Sequence, residues 1–174
     1  MAAGSTYTPL ATTTLGSSQA TITFSSISAS YTDLILVIAG RSTRSASIDD
    51  SRLQINSDSG SNYSNTHLYG DGSSAGSDRF SGSTYGNAGF WFPGATTTSG
   101  IYSATTVQFQ NYSNTTTYKS WIVDDKNRSN LAALPGASVG LWRSTSAINR
   151  LDLSLGVGSW ATGSTFTLYG IAAA

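Results

Sequence analysis

Nearly every segment of this chain that carries apolar residues carries them at alternate positions, and that period restricts the fold more than any motif does. In ATITFSSI (20–27), Ile22 and Phe24 fall on one side of an extended backbone and polar residues on the other; RLQINS (52–57) repeats the arrangement with Leu53 and Ile55. Strands are also expected in GNAGFWF (86–92), TTVQFQNY (105–112), YKSWIVDD (118–125), SVGLWRS (138–144), INRLDLSLGVG (148–158) and STFTLYGI (164–171). DLILVIAG (33–40) is instead continuously apolar and predicts a strand covered on both faces, or a central one under a loop or a neighbouring subunit. Turn-forming clusters such as PGATTTSG and DDKNRSN separate these runs at the spacing of a sandwich or barrel. Only LAALPGA (131–137) suggests helix, a single turn stopped by Pro135.

Composition supports the same conclusion. All nine acidic residues are Asp and lysine occurs only at Lys119 and Lys126, so the straight-chain residues that populate helix surfaces are nearly missing. Ser and Thr make up roughly a third of the chain, alongside 18 Gly and 9 Tyr, which suits short strands and polar turns. At 39% hydrophobic and 11% aromatic, the chain buries enough apolar area to offset the entropy of ordering it. The expected fold is all-β, an antiparallel β-sandwich of jelly-roll type with about nine or ten strands over residues 20–174, preceded by an extended arm over residues 1–19.

Charge and cysteine content exclude whole classes of function. Nine basic residues balance the nine acidic ones, so no electrostatic footprint for nucleic acid or an anionic membrane exists. With no cysteine there is neither a disulfide framework nor a thiolate metal site. The N-terminal MAAGSTYTPLATTT has neither a basic n-region nor an apolar h-region, giving the expectation of a chain made and folded in a cytoplasm.

The short motifs lose their chemistry in context. NSDSGSNYSNTHLYGDGSSAG (56–76) holds a formal G-x-S-x-G at Gly72, Ser74 and Gly76, but no helix follows and no histidine comes after Ser74. Asn56, Asp58 and Asn62 have the spacing that opens a calcium loop, yet its sixth and twelfth positions hold Ser61 and His67. The stretch reads as a tight polar turn in which Gly60 takes positive φ. His67, the sole histidine, has no companions for zinc and reads as a surface or hydrogen-bonded strand residue. GVGSWA (156–161) lacks a following helix to hold a pyrophosphate and reads as a hairpin turn. Asp49-Asp50 and Asp124-Asp125 are adjacent, so on strands each pair diverges to opposite faces. No catalytic, cofactor-binding or metal-ligating residues are assigned, and no enzyme is expected.

Two features remain as surfaces. STYGNAGFWFPG (83–94) sets Tyr85, Phe90, Trp91 and Phe92 among glycines; Phe90 and Phe92 are expected inward, with Tyr85 and Trp91 able to stack on a sugar or anchor an interface. The N-x-[ST] sequons at Asn62, Asn111, Asn114 and Asn127 would matter only in a secreted chain and are read as incidental.

TYTPLATTTLGSSQATITFSSISASYTDLILVIAGRS, then RLQINSDSGSNYS, and finally STFTLYGI together resemble a β-rich domain of virion proteins from tailed bacteriophages, especially those of aquatic hosts. The likeness covers residues 7–64 and 151–171. It implies a β-sandwich on the virion surface, made in the host bacterial cytoplasm, pairing with copies of itself as a homotrimer and contacting the major capsid protein or other virion proteins. Within that class a small single sandwich fits a head decoration or cement protein, with a tail fibre or tail-tip component next; the lack of a self-contained apolar face in residues 1–16 suits an arm lying on a neighbour. The other class of function is a module binding host glycans through Tyr85 and Trp91.

Overall fold

A computed structural model describes residues 6–129 and 132–172, excluding the side chains of residues 126–134. It is all-β, with antiparallel pairing throughout, as the alternation predicts. The main sheet has eight strands, in the order β1 (Tyr7–Thr14), β13 (Thr165–Ile171), β3 (Asp33–Gly40), β9 (Ser103–Phe109), β10 (Lys119–Ser129), β11 (Ala132–Trp142), β6 (Tyr63–Gly70) and β7 (Ala75–Ser83). A smaller sheet of β2 (Thr21–Phe24), β12 (Leu151–Leu155) and β5 (Ser51–Ile55) covers part of it, and β4 (Ile48–Asp49) pairs with β8 (Phe92–Pro93) at one side. The sandwich is therefore unequal.

Its core is the meeting of two period-2 patterns. Leu34, Leu36 and Ile38 of β3, Val107 and Phe109 of β9, Trp121 and Val123 of β10, and Phe166 and Leu168 of β13 face Ile22, Phe24, Leu53, Ile55, Leu151 and Leu153 of the small sheet in one buried cluster. Trp160 joins them from the 156–164 connection, edge-on between Phe92 and Phe166 with its Nε1–H donating to Leu153 O at 3.0 Å.

Several expectations need correction. Residues 7–14 are not a separate arm: β1 pairs with β13 of its own chain from Tyr7↔Ile171 to Thr14↔Thr165 and forms a sheet edge. Its half-exposed, Thr-rich pattern gave no apolar face to recognise. Residues 1–5 lie outside the described residues. DLILVIAG is central but only one face is covered within the chain, since Val37 on the other is 38% exposed. The LAALPGA run is strand from Ala132 onward, because an eleven-residue register with β10 overrides the local signal. That register also carries β10 through the expected turn DDKNRS. GVGSWA is no hairpin but the crossover from β12 in one sheet to β13 in the other. In the 56–62 turn it is Asn56 (φ 53°) and Ser57 (φ 58°), not Gly60, that take positive φ. Among the described residues no helix is long and apolar enough to cross a membrane.

Candidate binding site

The site begins with what β11 lacks. Its inward positions Gly136, Ser138 and Gly140 leave a shallow bed on the inner face of the main sheet, where the small sheet does not reach. A methyl group on Gly140 would stand 2.0 Å from Cε2 of the Trp121 indole, and one on Gly136 would stand 2.6 Å from Nε2 of His67. Trp121 and His67 therefore lie flat on the sheet, and residues 86–91 close over them.

That loop is tied down at nearly every residue. Gly86 exchanges two backbone bonds with Leu53, and Asn87 N–H donates to Asn65 Oδ1 at 3.1 Å. Asn87 Nδ2 donates to Ser51 O at 2.8 Å, while Asn87 O accepts from Trp121 Nε1 at 2.8 Å. Phe90 N–H points at both carboxylate oxygens of Asp125 at 3.3 Å, and Trp91 N–H at Asp50 Oδ1 at 3.2 Å. The bonds hold a backbone with φ of +129° at Gly89 and +56° at Trp91, the latter a conformation that a tryptophan adopts only when its surroundings impose it.

His67 is not the surface or satisfied histidine expected. It is 1% exposed, stacked under Phe90 at 4.0 Å between centroids and 5° between planes, with Tyr69 and Trp91 at 5.2 and 4.9 Å. Neither ring nitrogen has a hydrogen-bond partner, and Nε2 stops 4.0 Å from Asp125 Oδ2. Burial pushes His67 below the usual histidine range, opposed by the Asp78 charge. Asp125, 2% exposed, is pushed up to about 7, chiefly by burial, against the bonds from Phe90 and Thr105. Between about pH 6.5 and 7 the pair therefore carries little charge, which is how it tolerates an apolar surround without a direct bond.

Beside this cluster opens a cleft of about 200 Å³ lined by Asp50, Arg52, Phe80, Tyr85, Asn87 and Phe90. Tyr85 is half-buried, with the Arg52 guanidinium 4.7 Å from its ring centroid and Phe80 at 6.0 Å. Asn87 is 3% exposed and its Oδ1 has no partner. The two aromatic residues singled out by sequence thus sit on one loop but do different work. Tyr85 lines the cleft; Trp91 packs on His67 and Tyr69 as its buttress, half-buried rather than turned out, and Phe90 is half-buried too, only Phe92 being fully inward.

The remaining motifs are structural. Ser74 lies in the β6–β7 turn beyond the Gly70–Ala75 pair, three rungs past His67, where its N–H donates to Asp71 Oδ1. Asp58 accepts from Trp142 Nε1, Asn62 Nδ2 and Gly60 N–H; these bonds outweigh burial and hold its carboxyl below the ordinary value. Asn56 Oδ1 accepts from the N–H groups of Asn149 and Arg150. Among the described residues no group of three His, Asp or Glu side chains is placed to hold a metal ion. The adjacent carboxylates diverge as expected, Asp49 and Asp125 buried, Asp50 and Asp124 exposed. The sequon side chain of Asn127 lies outside the described residues.

No protein-family model matches the chain, and no curated protein does. Among solved structures it is similar to the galectin LEC-6 of Caenorhabditis elegans, at 9% identity and a TM-score of 0.33 over 90% of this chain and 94% of that one. An exo-inulinase from Aspergillus awamori matches at 11% identity and a TM-score of 0.38, over 95% of this chain but 29% of the enzyme. Domains LG4-5 of the mouse laminin α1 chain match at 14% identity and a TM-score of 0.33, over 90% and 40%. Likeness at this level carries no argument, and function is argued from the site itself.

Proposed function

We propose that this β-sandwich is a binding module, not an enzyme, and that the Tyr85 cleft holds one ring of a saccharide. The observation that carries the reading is Asn87 Oδ1, a buried acceptor without a partner in the lining of a cleft that also offers an aromatic face. Buried polar atoms are rarely left unpaired, and a sugar hydroxyl supplies the missing donor. The C–H face of the ring stacks on Tyr85, while Arg52 and Asp50 offer donors and an acceptor at its rim. Calorimetric titration with a panel of neutral and charged oligosaccharides tests this. At least one should bind, and Tyr85→Ala should weaken it tenfold or more, about 1.4 kcal/mol. A Tyr85→Ala variant that binds as well as the parent would end the reading.

A second reading follows the resemblance to phage virion proteins, with the chain as a capsid decoration or cement protein, or a fibre or tail-tip component. It is favoured by the outer face of the main sheet, where Val37 of β3 and Ile122 of β10 stand 38% and 48% exposed, apolar side chains suited to seating on a copy or on a capsid protein. Co-sedimentation with expanded capsids at fixed stoichiometry is the expected result; a chain that stays in the supernatant at every ratio excludes it. The two readings are compatible, since a particle-surface protein is well placed to meet host glycans.

A further inference from the structure

On the opposite side of the same strands, alternation places a second set of residues. His67 and Asn65 face inward; Ser64 and Thr66, their sequence neighbours, face out. The ladder sets Arg79 beside Thr66 beside Val139 in one row, and Ser81 beside Ser64 beside Leu141 in the next. The register shift between Tyr63 and Ser64, with Gly82 opposite at φ +64°, bends the free edge strand β7, as bulges do. The result is a groove of about 600 Å³ over β7, β6 and β11.

Its chemistry is set by an arginine with nothing to do. Of the six arginines whose side chains are described, Arg41 bonds Thr97 and Thr98 O, Arg44 lies against Asp49, Arg52 lies over Tyr85, Arg143 donates to Ser64 Oγ at 2.9 Å, and Arg150 pairs with Asp152. Among the described residues Arg79 makes no hydrogen bond or ion pair. Asp78 beside it turns to the inner face, in register with His67. Two guanidinium groups, Arg79 within the groove and Arg143 bonded to its Ser64, thus flank a floor of three hydroxyls with an apolar ledge at Val139, which is 53% exposed, and Leu141.

We propose that this groove binds an anionic saccharide, one bearing carboxylate or sulfate groups along a hydroxyl-rich chain. Arg79 offers the fork of donors that grips either anion in a bidentate fashion. The hydroxyls of Ser64, Thr66 and Ser81 exchange hydrogen bonds with sugar hydroxyls, and the Val139 and Leu141 ledge takes the C–H faces. The volume falls in the range of ordinary ligand sites. The proposal is independent of the Tyr85 cleft, which lies on the other face of the sheet.

The test is titration of the parent, Arg79→Gln, Arg143→Gln and Tyr85→Ala with an oligogalacturonate, a sulfated dextran oligomer, a neutral dextran oligomer and an oligo-aspartate peptide. At least one anionic saccharide should bind, more weakly as salt rises. Arg79→Gln should lose tenfold or more, Arg143→Gln less, and Tyr85→Ala nothing, with melting temperatures unchanged because all three side chains lie at the surface or half-buried. Equal binding of the neutral oligomer, or an unaffected Arg79→Gln, overturns the anion assignment. Equal binding of oligo-aspartate overturns the saccharide. Loss on Tyr85→Ala would mean one site where two are claimed, and failure of both anionic oligomers to bind rejects the groove altogether.

Discussion

Asp125→Asn isolates the electrostatic cost of closing the loop over β11. The carboxyl stands near 7 when folded against an ordinary 3.8, so between those values the folded chain keeps a proton that the unfolded chain has released. For an acid raised in this way, the stabilising contribution is whole below the unfolded pKa and disappears as pH rises through the folded one. One proton gives a slope of about 1.4 kcal/mol per pH unit, so the window from pH 4 to 7 is worth at most about 4 kcal/mol. His67 runs in the opposite sense: its lowered pKa makes acid below 6.5 destabilising, so in the parent the two effects oppose each other just below 6.5 and the Asp125 loss stands alone between 6.5 and 7. The amide retains an acceptor for Phe90 N–H and removes only the titration. We expect the stability difference between variant and parent, from urea midpoints at pH 5 and pH 8, to move by about 3 kcal/mol in the variant's favour. His67→Gln should leave that movement in place. A difference that stays constant to within about 0.5 kcal/mol over the same range would refute the argument that Asp125 titrates near neutrality.

Three further outcomes follow from the packing. Gly140→Ala drives a methyl into the Trp121 indole, which Asn87 O holds by its Nε1–H, and should cost about 3 kcal/mol in urea unfolding; a loss below about 1 kcal/mol would show that Trp121 has somewhere else to go. A chain beginning at Leu15 loses β1 and bares the edge of β13, so its melting temperature should fall and its tendency to associate rise, whereas an unchanged melting curve would remove β1 from the sheet. Trp142→Phe deletes the 2.6 Å bond to Asp58 Oδ2 and should cost about 1.5–3 kcal/mol near neutral pH, less once acid protonates Asp58; a pH-independent loss would assign the effect to packing.

What the alternation showed and what it hid have one physical cause. Strands whose inner residues are apolar, such as Leu34, Leu36 and Ile38 of β3 or Leu151 and Leu153 of β12, announce themselves, because period 2 in hydrophobicity is period 2 in burial. β6 does not, since its inner row is Tyr63, Asn65, His67 and Tyr69, residues that look like turn or surface. Read by parity instead of by polarity, that row was visible. β1 and β7 failed for another reason: an edge strand is held by backbone bonds to one neighbour and needs little apolar area of its own. At the site, Tyr85 and Trp91 were legible as rings among glycines. Asp125, Asn87, Gly136 and Gly140 were not, because what each does depends on the register of β10 with β11 and of β11 with β6.

That register explains why the sandwich has a cleft where it does. A sheet face left uncovered by its partner sheet must be closed by something, and side chains of ordinary size on β11 would have lifted any loop clear of the main sheet. Glycine at alternate inner positions lets Trp121 and His67 lie flat, and lets residues 86–91 settle low enough for their N–H groups to reach Asp125 and Asp50. The loop then cannot fill the space between itself and β5, and Tyr85, Arg52 and Asn87 line what remains. The cleft is thus a consequence of core packing rather than an addition to it, so a substitution at Gly136, which lines neither the cleft nor the groove, should weaken the proposed saccharide binding at Tyr85 while leaving the Arg79 groove on the far face intact.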